Sequence, residues 1–155
     1  MRLSHHAVAA GVLLLLASFL LAACGGGVDG NPKQVVISMF GAMEKNDKGA
    51  LAHLLDLPAL MENTEGDYAL QSDSPRVWTN PQQILDDLTG NGMTKQRWFS
   101  MQRVIGETEV MGDQATVEVT FVDKQASRGY LTEFGLHKVN EKWKIYSFQT
   151  KTEGS

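Results

Sequence analysis

Chemistry in this chain would have to come from a small set of side chains. Cys24 is the single cysteine among 155 residues, so the chain can form no internal disulfide and no cysteine cluster for a metal. Its thiol is a nucleophile, and the small residues Ala22 and Ala23 before it would let the backbone enter a peptidase cleft. His53 and His137 are the histidines beyond the amino terminus. An imidazole can shuttle a proton or bind a metal, but no His-x-x-x-His or Glu-x-x-His spacing surrounds either one, so a zinc site is not expected. His53 falls off the Leu51–Leu54–Leu55 stripe and reads as a solvated helix residue. His137 shares a strand face with Leu131, Glu133 and Val139, opposite Tyr130 and Phe134.

The carboxylates are no more conclusive. Asp86-Asp87 could serve as an acid–base pair, yet neighbours on a helix point about 100° apart. At most one of them would face a pocket with Leu85 and Leu88, leaving the other solvated. Glu62, Glu65, Asp67 and Asp73 make an acidic stretch that lacks the ligand spacing of an EF-hand, and weak calcium binding is its minor reading. Of the three tryptophans, Trp143 reads as core. Trp78 and Trp98 are the better candidates to line a pocket mouth, with Tyr130 as a hydrogen-bonding wall. There is no Gly-rich phosphate loop before a helix and no Gly-x-Ser-x-Gly turn. No catalytic set emerges, and neither a metal nor another cofactor is expected.

Cys24 takes its meaning from what precedes it. Arg2 and the terminal amine give a positive start, Ala7 to Ala23 carry no charge, and Leu13 to Leu16 form an apolar centre. Charged, then apolar, then small is the pattern of a secretory signal, too short and wrongly flanked for a membrane span. Leu21-Ala22-Ala23-Cys24 resembles the lipobox of bacterial lipoprotein signal peptides and sits where the apolar centre ends. The resemblance implies cleavage before Cys24 and a diacylglyceryl group on its sulfur. An ordinary cleaved signal followed by an accidental cysteine is the alternative. One acyl chain gives only reversible attachment, whereas two hold a protein on a membrane. Gly25 to Gly30 would then be a flexible tether reaching at most about 20 Å, so the domain would stay close to the bilayer. Gly25 is not the Asp that commonly retains lipoproteins in the inner membrane of enterobacteria. In a source with two membranes, the periplasmic side of the outer one is expected.

Removal of residues 1–23 leaves 132, enough for one domain with a real core. The formal charge of −4 for the whole chain becomes −5 once Arg2 is lost. Gly25 to Met93 holds 4 basic and 10 acidic residues, and Thr94 to Ser155 holds 9 and 8. An acidic half and a near-neutral half exclude the basic stripe that nucleic acid would require.

The elements that must position these residues follow from capping and periodicity. Asn31-Pro32 and Asn80-Pro81 both put an N-cap before a proline at the first helical position, with Gln three residues after each Asn. Val35, Val36, Met39, Phe40 and Met43 then mark the inner face of a first helix. Leu51, Leu54 and Leu55 mark a second, and Pro58 to Glu62 one further turn. Asn63 to Thr79 reads as a long polar loop, of the length that is more often functional than incidental. Ile84, Leu85 and Leu88 face inward on a later helix that Gly90-Asn91-Gly92 ends. After Met93 the period changes to two. Arg97 to Val110 is expected as one long strand, and Ala115, Val117, Val119 and Phe121 face one way on the next. Tyr130, Thr132, Phe134 and Leu136 share a face of a third. The closing strand, Trp143 to Thr150, reads as apolar on both sides, with Trp143 and Ile145 on one and Tyr146 and Phe148 on the other.

Helices first and antiparallel strands last give an α+β domain over residues 31–150, followed by a tail at 151–155. The order resembles the NTF2-like cone, and within it the small lipoprotein domains of the DUF4878 kind. The residues carrying the likeness are Asn31 to Val36 with Phe40, Lys45 to Leu51, and Val139 to Ile145. The resemblance implies N-terminal helices packed on a curved sheet of about four strands around a conical pocket. That fold hosts isomerases, dehydratases and plain binding modules, so it does not settle function. Three readings follow. The first is a lipid-anchored envelope protein whose domain binds a small apolar molecule or another envelope protein, without catalysis. The second is an isomerase- or dehydratase-like enzyme with Asp87 buried beside Tyr130. The third is a structural homodimer joined through Tyr146 and Phe148.

Overall fold

Each helix begins where a side-chain oxygen can take its first free N–H groups. The computed structural model describes residues 30–63 and 78–151. The expectations placed on residues 1–29, Cys24 included, and on most of the polar loop lie outside those residues. The order is α1 (Pro32–Lys45), α2 (Lys48–Leu54), α3 (Leu57–Asn63), α4 (Pro81–Asp87), α5 (Met93–Ser100), then β1 (Gln102–Met111), β2 (Gln114–Asp123), β3 (Arg128–Val139) and β4 (Lys142–Lys151). Asn31 accepts from Lys33 N at 3.0 Å, Asp47 from Ala50 N at 2.8 Å, and Asn80 from Gln83 N at 3.1 Å. Gln83 replies by accepting from Thr79 N at 2.7 Å, one residue before the position a capping box would use. Helix α1 stops at Asn46, whose left-handed φ of 57° suits asparagine.

The four strands form one antiparallel meander in the order β1-β2-β3-β4. Ala115, Val117, Val119 and Phe121 alternate inward as the period of two requires, facing Leu136, Phe134, Thr132 and Tyr130 on β3. The helices cover this inner face, α1 supplying Val35, Val36, Met39 and Met43. The junction of α2 and α3 lies along the free side of β4, where Asp56 N donates to Ile145 O at 2.8 Å.

Two sequence expectations fail here, each for a physical reason. The stretch from Arg97 is not strand at its start: residues 93–100 are helix α5, and β1 begins at Gln102. No side chain of its own N-cap, Gly92, closes α5. Asp87 does so from the previous helix, accepting from Thr94 N at 3.2 Å and from Thr94 Oγ1 at 2.5 Å. The two turns meet so closely that a Cβ on Gly92 would lie 2.0 Å from the Asp87 carbonyl oxygen.

The second failure is in β4. Gly135 pairs with Ser147 but Leu136 pairs with Ile145, so Tyr146 is an extra residue in a β-bulge. The insertion re-phases the strand, and Phe148 joins Trp143 and Ile145 on the inner face. Tyr146 stays outside, and Gly135 makes room for the bulge. A Cβ there would stand 2.3 Å from Ser147 Oγ.

Candidate functional site

The cone-shaped interior is closed by aromatic rings. Helix α1 contributes Phe40, α5 contributes Trp98, and the sheet contributes Phe121, Phe134 and Phe148. Trp98 stacks on Phe121 with centroids 5.4 Å apart and meets Phe134 and Phe148 edge-on at 5.5 and 5.3 Å. Phe40 meets Trp98 edge-on at 5.8 Å. These are the offset and T-shaped arrangements that ring quadrupoles favour. Trp98, expected at a pocket mouth, is therefore core at 4% exposure, because the helix that replaces the expected strand turns it inward. Phe148 is likewise core, at 3% exposure, and forms no outer seam with Tyr146.

Cations close the rim of this cluster. The Arg103 guanidinium lies 4.0 Å from the Phe99 centroid and 5.1 Å from that of Phe40, and it donates to Trp98 O at 3.2 Å. Burial lowers its pKa from the ordinary arginine value, and nearby Glu44 opposes that effect. Tyr130 is half-buried against the core, with Arg97 and Arg128 each 6.0 Å from its ring.

Trp78 lies elsewhere, at an open cavity of about 640 Å³ beside α4 and the turn into α5. Gln83, Asp86, Asp87, Asn91 and Met93 also line it. The Trp78 indole Nε1 is buried and finds no acceptor among the described residues. Both neighbouring carboxylates are engaged. Asp87 holds Thr94, and Asp86 accepts from Gln82 at 2.8 Å and from Lys48 Nζ at 2.5 Å. The Lys48 hydrogen bond, above all, holds the Asp86 carboxyl below its ordinary value. Asp87 is buried, as one member of the pair was expected to be, but Tyr130 does not line its cavity.

Two further features bear on function. His137 Nε2 lies 2.8 Å from Asp56 Oδ2, and its ring packs on that of Tyr146 at 4.8 Å. Asp56 also accepts from Ala59 N at 3.2 Å, so the pair fastens the start of α3 to the outer face of the sheet. The sequence had offered His137 no nearby partner, because Asp56 lies 81 residues away. Among the described residues no group of three or more His, Cys, Asp or Glu side chains could hold a metal. A second opening, of about 710 Å³, runs outside α1, between α2 and the start of β4. His53, exposed as expected, stands on its rim.

This geometry has counterparts among solved structures. The chain is similar to an NTF2-like protein of unknown function from Shewanella baltica OS155, with a TM-score of 0.51 and 17% identity over 79% of this chain and 90% of that one. The fold is NTF2-like. A second NTF2-like protein of unknown function, from Methylobacillus flagellatus KT, matches with a TM-score of 0.52 and 16% identity over 77% and 88% of the two chains. A de novo designed protein with a curved β-sheet matches with a TM-score of 0.50 and 11% identity over 79% and 100%. At such identities the likeness carries the NTF2-like architecture alone. No family model matches the sequence, and no curated protein matches it.

Proposed function

We propose that the protein is a lipid-anchored, extracytoplasmic binding protein whose NTF2-like domain performs no catalysis. The Trp78 cavity carries this reading. Trp78 lines the opening, its buried indole N–H has no acceptor among the described residues, and the two carboxylates beside it are committed to structural partners. A buried donor without a partner costs about 1–3 kcal/mol, which a ligand bearing an acceptor would relieve. The occupant this reading calls for is a small molecule with a hydrogen-bond acceptor and an apolar part for Trp78 and Met93, within a lining otherwise made polar by Gln83, Asp86, Asp87 and Asn91. The lipobox at Leu21 to Cys24 supports the anchor. Among the described residues no helix is long and apolar enough to cross a membrane.

Native mass spectrometry of the full chain, purified in mild detergent, tests the binding. Extra mass that is released on denaturation and reduced in Trp78→Phe would support it. Turnover that disappears in Asp87→Asn while the fold persists would replace it with the enzymatic reading. Metabolic labelling with palmitate tests the anchor, and label that persists in Cys24→Ser would refute it.

A further inference from the structure

We propose that Arg97, Arg128 and Tyr130, with Arg103 beside them, form a binding site for an oxyanion, the carboxylate or phosphate group of a small molecule. The site lies on the inner face of the sheet, at the end where β1 and β3 begin. It does not depend on the lipid anchor, and Tyr130 does not line the Trp78 cavity.

Strand register brings the residues together. Arg103 on β1 pairs with Phe121 on β2, which pairs in turn with Tyr130 on β3. Residues directly opposite across an antiparallel pair share a face, and Phe121 is buried under the Trp98 ring. Arg103 and Tyr130 therefore flank Phe121 on the inner face, two strand spacings or about 10 Å apart. Arg128 lies two residues before Tyr130 and so on the same face of β3. Arg97, in the last turn of α5, immediately precedes Trp98 and reaches the same tyrosine.

Charge is handled here unlike elsewhere in the domain. Lys48, Lys138 and Lys151 each form an ion pair with a carboxylate. Arg97, Arg103 and Arg128 form none among the described residues, and all three lie on aromatic rings instead. One guanidinium on a tyrosine is accounted for by the ring's own quadrupole. Arg97 and Arg128 share a single ring, each 6.0 Å from its centroid, which adds a like-charge repulsion that the ring does not remove. Asp123, the strand partner of Arg128, uses Oδ1 to close the turn after β2, accepting from Gln125 N at 2.9 Å and Ala126 N at 3.0 Å. Glu44 acts on Arg103 from α1, against the burial that lowers its pKa, without closing an ion pair.

The arrangement is rich in donors and short of acceptors. Arg103 spends one N–H on Trp98 O, and Tyr130 Oη makes no hydrogen bond to another described residue. A guanidinium fork matches the paired oxygens of a carboxylate or a phosphate, which a lysine ammonium cannot do. Arg97, Arg103 and Tyr130 are half-buried, so salt screens them less than it would open surface, while exposed Arg128 leaves a way in. A small acid seated here would answer both guanidiniums on the shared ring at once.

The test uses the full chain in mild detergent, with its arginines labelled with nitrogen-15. Inorganic phosphate, acetate and chloride are titrated in at matched ionic strength. Saturable shifts of the Arg97 and Arg128 Nε–H signals with phosphate or acetate, and not with chloride, are expected. The anion that saturates at the lower concentration names the group. Arg128→Gln, at an exposed position, should leave the fold intact and weaken binding about tenfold. Arg128→Lys keeps the charge, loses the fork and should also bind more weakly. Shifts that chloride reproduces, or a lysine variant that binds as tightly as the wild type, would overturn the proposal. So would signals that move only when phosphatidylglycerol is added to the detergent, which would place the group on a lipid rather than a small molecule.

Discussion

Helix α1 separates two regions built in opposite ways. On its inner side Phe40 joins Trp98, Phe121, Phe134 and Phe148, with contacting rings 5.2–6.1 Å apart and each residue under a tenth exposed. On its outer side Gly41 contributes no side chain, Ile37 is left in the open and three lysines stand around a groove of about 710 Å³. The inner side has the filling that a conical pocket would have to lack. The outer side has the space and charge that a packed core would not tolerate. Five rings thus fill the space between α1, α5 and the sheet among the described residues.

The contrast can be broken most forcefully from inside. Trp98→Ala should cost about 3–5 kcal/mol in urea denaturation, since it removes the ring on which four others rest. A loss of about 1 kcal/mol would mean that the interior is looser than its geometry indicates. Asp87→Ala probes the boundary beneath the Trp78 cavity. It strips the carboxylate from Thr94 N and Oγ1 and should cost about 1–3 kcal/mol. Near-native stability would show that the carboxylate is not committed to the cap of α5.

On the outer side the sign should reverse. Gly41→Ala should stabilise the domain by about 0.5–1 kcal/mol, because alanine favours helix and its methyl group meets open space. A lower melting temperature would show that the groove is not empty at its floor. The smallest effect belongs to Asp86 and Lys48. The Asp86 carboxyl is lowered in the folded state, so its contribution is fully present above the unfolded value near 4 and is lost as pH falls through the lower folded value. Urea midpoints should therefore drop below about pH 4, and Asp86→Asn should flatten the drop only slightly, since exposed pairs contribute little.

Much of this architecture was legible in the sequence, because it rests on local rules. The Asn caps, the inward stripe of α1 and the alternation from Ala115 to Phe121 each depend on residues a few positions apart. Both the α+β class and the meander follow from them. What stayed hidden depends on residues brought together by the fold. Helix α5 takes its cap from Asp87, seven residues upstream and on another helix, and so no cap precedes it in sequence. Thr94, Trp98 and Met101 do recur at i, i+4 and i+7, a helical spacing masked by the strand-like run that follows. Placing Trp98 at a pocket mouth failed for the same reason. Trp78 was legible as a candidate only through its type and loop position. Its unsatisfied N–H required coordinates.

The bulge in β4 also sets where this chain can change length. Elsewhere in the strand, loss of one residue would reverse which side chains face inward beyond it and carry apolar groups into water. Tyr146 is the exception, since the ladder already passes over it. Without it Ile145 and Phe148 would both still face the core, and the outer ring contact with His137 would be what disappears. A single-residue deletion would thus be absorbed at this point of the strand and felt only on the side of the sheet away from the rings.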